Sequence, residues 1–111
     1  MTPPKFSDWG LDRNISDAIG KLGWEEPTEI QYEAVPVGRK GIDVVGQART
    51  GSGKTAAFGI PIIEACEVKK TTQGLVLCPT RELAVQVAEE LGILQGNKGL
   101  RIETVYGGTD L

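Results

Sequence analysis

The run Ala48-Arg49-Thr50-Gly51-Ser52-Gly53-Lys54-Thr55 constrains this chain more than any other feature. It follows an apolar, strand-like stretch, Ile42 to Gly46, and opens a helix-like one at Thr55. A strand, a glycine-rich turn ending in Gly-Lys-Thr, and then a helix form the setting in which a phosphate-binding loop works. Gly51 and Gly53 let the backbone curl around an anion, because glycine has no Cβ and tolerates positive φ. The curled amides and the helix N-terminus then aim N–H donors at phosphates. In such a loop Lys54 reaches the β- and γ-phosphates and the Thr55 hydroxyl ligates Mg²⁺. Ala48 stands where the general pattern has glycine.

A chain of 111 residues holds one domain at most. Its formal net charge of −3 and the absence of any basic run give no bulk electrostatic attraction to nucleic acid. Nucleic-acid contacts are therefore expected to be local, made by backbone amides and single arginines. There is no histidine, so histidine metal sites and histidine general bases are excluded. The two cysteines, Cys66 and Cys78, do not form a Cys-x-x-Cys pair and read as packing residues of a helix and a strand. No segment is long enough to span a membrane and no secretory pattern opens the chain, so a cytoplasmic protein is expected.

Apolar residues at Ile15, Ala18, Ile19 and Leu22 predict a helix over Asp12 to Leu22, ended by Gly23. Thr28 and Gln31 have the spacing of a capping box at the start of a second helix, which Pro36 is expected to limit. Thr55 to Val68 predicts a third helix with a kink near Gly59 and Pro61, and Arg81 to Leu94 a strongly amphipathic fourth. Strands are expected at Ile42–Gly46, at Gly74–Cys78 (a continuous apolar run, hence covered on both faces) and at Leu100–Tyr106. Strand, helix, strand, helix, strand is the order of a parallel sheet with helices on its faces. Ligands of such sheets sit at the strand carboxyl ends. The phosphate loop, Pro79-Thr80-Arg81 and Gly107-Gly108 should then share one rim.

Four motifs in order give the chain a recognisable face: Phe6 with Gly23-Trp24-Glu25-Glu26-Pro27-Thr28-Glu29-Ile30-Gln31, the phosphate loop, Pro79-Thr80-Arg81-Glu82-Leu83-Ala84, and Tyr106-Gly107-Gly108. With these motifs the chain, from Phe6 to Leu111, resembles the N-terminal part of a DEAD-box ATP-dependent RNA helicase. The resemblance implies an α/β, partial RecA-like parallel sheet with flanking helices in residues 42–111, preceded by a helical Q-motif segment in 1–41. It also implies ATP and Mg²⁺ as cofactors and RNA, held by its backbone without sequence preference, as partner. By resemblance Gln31 reads adenine, for which an amide offers a matched donor and acceptor. Phe6 stacks on the base, and Trp24 and Thr28 belong to the same adenine site. Trp24 replaces a different aromatic or aliphatic residue of relatives. The loop from Ala48 through Arg49, Thr50, Gly51, Ser52 and Gly53 to Lys54 and Thr55 holds the phosphates. Lys54 and Thr55 carry the catalytic role and Thr55 the Mg²⁺. Pro79, Thr80, Arg81, Gly107 and Gly108 correspond to RNA-backbone contacts. Arg39 occupies a position often apolar in relatives, where looser packing is expected.

The residues alone leave other roles open. Gln31 can complete the capping box with Thr28, and its four hydrogen-bonding sites allow both tasks. Thr80 can be an N-cap and Gly107-Gly108 a turn. The sequence contains no Asp-Glu-Ala-Asp or Ser-Ala-Thr motif. Phosphoryl transfer needs a second carboxylate for Mg²⁺, a group that positions water and an arginine at the transition state. The expected chain is thus a piece of a longer helicase, inactive alone. A non-catalytic nucleotide- or RNA-binding module and a different phosphate-loop NTPase are the alternatives. Unpaired sheet edges predict self-association.

Overall fold

Asp12 starts the first helix by accepting the Asn14 N–H at 2.9 Å, the short-side-chain capping that satisfies a donor with no intrahelical partner. In the computed structural model, which describes residues 5–41, 53–69 and 71–105, this helix (α1) runs Arg13–Leu22. The Trp24 N–H closes it on Ile19 O at 3.2 Å, behind Gly23, as in a Schellman ending. Ile15, Ala18 and Ile19 are buried as their spacing predicts, whereas Leu22 remains partly exposed. A 3₁₀ turn, Phe6–Trp9, precedes it.

Helix α2 spans Glu29–Arg39 and so passes through Pro36, which does not limit it as expected. Proline inside a helix removes one N–H bond and costs about 3 kcal/mol. Packing against the next helix offsets that cost. Val35 is fully buried, and at Gly38 a Cβ would approach Pro61 Cγ to 2.9 Å, so α2 and the following helix meet almost backbone to side chain. That helix, α3, covers Lys54–Ala65, shorter than the stretch to Val68 that the sequence predicts, with Cys66 as its C-cap. It also meets α4 closely, since a Cβ on Gly59 would reach Leu91 Cδ2 at 2.6 Å. Helix α4 covers Arg81–Leu94, as its periodicity predicts, and buries Val87, Leu91 and Leu94.

One cluster joins these elements: Phe6, Leu11, Ile15 and Ile19, then Val35, Ala56, Ile60 and Ile63, then the α4 stripe. Helix α3 lies between α2 and α4 and supplies its centre.

The expected sheet is not formed among the described residues. The Ile42–Gly46 strand lies outside them. Residues 74–78 and 100–105 form no strands, though both keep the period of two. Val76, Cys78, Leu100 and Ile102 pack on the helical core. Leu75 and Leu77 are 78% and 85% exposed, so the run is covered on one face, not on both. An apolar run reports an environment with two covers only if both are present. Here α3 and α4 supply one, and no described element supplies the other. Two glutamines take the place of strand partners. Gln73 exchanges two hydrogen bonds with the Glu67 backbone (2.6 and 2.8 Å), and Gln95 two with Leu100 (2.7 and 3.0 Å).

Candidate nucleotide site

The phosphate loop enters the described structure at Gly53; Ala48, Arg49, Thr50, Gly51 and Ser52 lie outside it. Gly53 has φ 82° and caps α3. Glycine is required there twice over, because the left-handed conformation strains other residues and because a Cβ would collide with Gln31 Nε2. Lys54 is the first residue of α3 and exposed, and Thr55 follows, half-buried. A helix N-terminus already carries positive partial charge. A lysine there adds a second positive centre, an arrangement that favours an anion.

Lys54 and Thr55 line an open pocket of about 260 Å³ together with Phe58, Cys78, Pro79 and Leu83. The start of α3 and Pro79 thus face one space, which Thr80 and Arg81 do not line. Thr80 caps α4 by accepting the Leu83 N–H at 3.1 Å. Arg81 opens α4 at the exposed surface. Gly107 and Gly108 lie outside the described residues.

Gln31 is 2% exposed and uses both halves of its amide. Its Oε1 accepts the Thr28 N–H at 3.0 Å, completing the capping box, and its Nε2 donates to Gly53 O at 3.0 Å. A buried amide with both ends satisfied is a rigid device. It joins the start of α2 to the loop residue next to Lys54, 22 positions on. Phe6 is buried, edge-on to Trp9 at 5.6 Å and stacked on Trp24 at 6.1 Å. Trp24 is the face-on partner of Phe6 and the most exposed member of the trio.

The sequence reading missed a polar cluster at the opposite end of α3. Arg39 does not loosen packing. It pairs with Glu64 at 2.7 Å and donates to Trp9 O at 2.6 Å. Glu64 accepts the Asp12 N–H at 3.1 Å. Lys98 pairs with Asp12 at 3.3 Å and donates to Ile63 O at 2.6 Å. The Asp12 carboxyl titrates below its ordinary value, foremost because it accepts the Asn14 backbone N–H; burial opposes this, and Lys98 facing the carboxylate adds to the lowering. The one local signal was Arg39 itself, a charge where the family resemblance implies an apolar residue.

Comparison with known proteins decides the family. The DEAD/DEAH box helicase family model matches residues 28–111, more than half of the chain. The chain belongs to the DEAD/DEAH box helicase family. It is 49% identical over 108 residues to the ATP-dependent RNA helicase CshA of Listeria monocytogenes, which covers 96% of this chain and 21% of that protein. It is also 49% identical to the DEAD-box ATP-dependent RNA helicase CshA of Geobacillus kaustophilus, covering 96% of this chain and 23% of the relative. The chain therefore spans about a fifth of the length of the curated relatives it matches. It is similar in structure to a DEAD box protein from Methanococcus jannaschii (TM-score 0.89, 46% identity, 96% of this chain and 30% of that one). The RNA helicase Prp28 from Chaetomium thermophilum bound to ADP superposes with TM-score 0.80 at 35% identity, over 99% of this chain and 28% of that one. Among the described residues of this DEAD/DEAH-family chain no helix is long and apolar enough to cross a membrane.

Proposed function

We propose that this chain is the nucleotide-binding N-terminal part of an ATP-dependent RNA helicase. Residues 1–41 form the Q-motif region, and 42–111 belong to an incomplete RecA-like ATP-binding domain. The observation that carries the reading is the Gln31–Gly53 hydrogen bond, which joins a candidate adenine reader to the loop that opens on Lys54 and Thr55. Adenine recognition falls to Gln31 with Thr28, Trp24 and Phe6, and phosphate binding to Ala48 through Thr55. RNA-backbone contact falls to Pro79, Thr80, Arg81, Gly107 and Gly108. The names of the relatives, ATP-dependent RNA helicases, agree with this reading.

An exposed ammonium and a hydroxyl at a helix N-terminus suit a triphosphate with its hard cation. Mg²⁺ would be held by Thr55 and would neutralise charge on the phosphates. Lys54 binds and orients the terminal phosphates, and the start of α3 directs its N–H groups at them. Positioning of water and a second Mg²⁺ carboxylate are not assigned to any residue of this chain, so binding without turnover is expected of it alone.

Titration with ATP and GTP tests the reading. Lys54→Ala should abolish binding of both, and Gln31→Ala should remove a preference for ATP. Unchanged affinity in Lys54→Ala, or equal affinity of the parent chain for the two nucleotides, would overturn it. Multiple turnover by the purified 111-residue chain would refute the assignment of binding alone.

A further inference from the structure

Helices α2 and α3 are joined at both ends. Gln31 ties the start of α2 to the start of α3 through Gly53 O. Arg39, the last residue of α2, ties its end to Glu64 in the last turn of α3. The same guanidinium donates to Trp9 O at 2.6 Å and reaches Gly10 O at 3.5 Å, the carbonyls that close the Phe6–Trp9 turn. Glu64 spends its other oxygen on the Asp12 N–H, just beyond that turn. One arginine thus holds three groups at once with a rigid planar fork, where a lysine ammonium is a compact charge on a flexible stem. The Arg39 and Glu64 side chains are 31% and 17% exposed, so their pairing is less screened than a surface pair.

We propose that Arg39 is a positioning residue for base recognition. Through Trp9 O and Glu64 it sets the aromatic trio Phe6, Trp9 and Trp24 at a fixed distance from the phosphate end of α3. The twelve residues of α3 make a rod of about 18 Å. Fixing its far end to the N-terminal segment therefore fixes where a base held by that segment lies relative to Lys54. This inference rests on the reading of Gln31 and Lys54 as nucleotide contacts. It predicts a separation that a general stabilising role does not produce. Loss of Arg39 should weaken binding of a ligand that carries a base and spare one that is phosphate alone.

The test compares ATP, GTP and inorganic tripolyphosphate binding to the 111-residue chain and to its Arg39→Leu and Arg39→Lys variants. In Arg39→Leu, ATP affinity should fall by roughly fivefold, the worth of one partly buried ion pair. The ATP-over-GTP ratio should fall with it, and tripolyphosphate affinity should stay unchanged. Arg39→Lys should lie between parent and Arg39→Leu. Equal losses for ATP and tripolyphosphate, or no loss for either, would overturn the proposal. If Arg39→Leu does not fold, Glu64→Gln keeps an acceptor for Asp12 but removes the ion pair, and must show the same pattern at smaller size. If the parent chain binds no ATP, the proposed function fails first. The positioning claim is then decided by amide exchange, which Arg39→Leu must speed over residues 6–12 while leaving α4 unchanged; unchanged exchange over 6–12 overturns it.

Discussion

The two ends of α3 carry lysine and arginine side chains for opposite reasons. At the N-terminal end Lys54 sits on the positive pole of the helix, exposed, with no ion pair among the described residues. At the C-terminal end Arg39 and Lys98 reach the negative pole, where Arg39 meets Glu64 and Lys98 meets Ile63 O and Asp12. Cations stabilise a helix C-terminus and destabilise an N-terminus, each by about 0.3–1 kcal/mol at exposed positions. The far end is thus at rest electrostatically and the near end is not. That contrast separates cations held in ion pairs from one left exposed at a helix N-terminus, which residue type alone does not do.

Removing the two lysines in turn sharpens the comparison. Lys98→Ala leaves Asp12 without its ion pair and Ile63 O without a donor, and should cost about 1–3 kcal/mol in chemical denaturation. Lys54→Ala should leave stability unchanged or raise it by up to about 1 kcal/mol. Equal losses from both variants would break the contrast.

Acid should act through the closed end. The folded-state pKa of Asp12 lies below its ordinary value of 3.8. Its contribution is therefore complete above that value and is lost as pH falls through the lowered folded value. In Asp12→Asn, which keeps a good N-cap, the fall in stability between pH 5 and pH 2 should be shallower than in the parent. An unchanged slope would assign acid sensitivity to other carboxyls. The smallest stability effect is expected at Leu75 and Leu77, whose side chains contact solvent. Leu75→Ser with Leu77→Ser should change unfolding free energy by no more than about 0.5 kcal/mol. Self-association, followed by sedimentation, should decrease, because an uncovered apolar edge recruits other chains.

Local signals carried much of the helical layer. Asp12 and Gly23 bound α1 where periodicity placed it. Thr28 and Gln31 form the box their spacing predicts, and α4 runs from Arg81 to Leu94 as its stripe requires. Signals that depend on a distant partner were not legible. Pro36 reads as a stop because the packing that outweighs its cost comes from Pro61 and its neighbours in another helix. Leu75 and Leu77 read as buried because apolar runs do not say how many layers will cover them.

The sequence by itself determined the phosphate-loop pattern, the order of the four motifs and the caps of three helices. Each depends on residues within a few positions of one another and on the geometry of one turn. Only the tertiary structure decided that Gln31 would clasp Gly53 and that Arg39 would pair with Glu64 while holding Trp9 O. Those contacts join residues more than twenty positions apart. Their formation depends on how α2 and α3 pack against each other, since packing sets the distance and the dielectric in which a hydrogen bond or an ion pair holds.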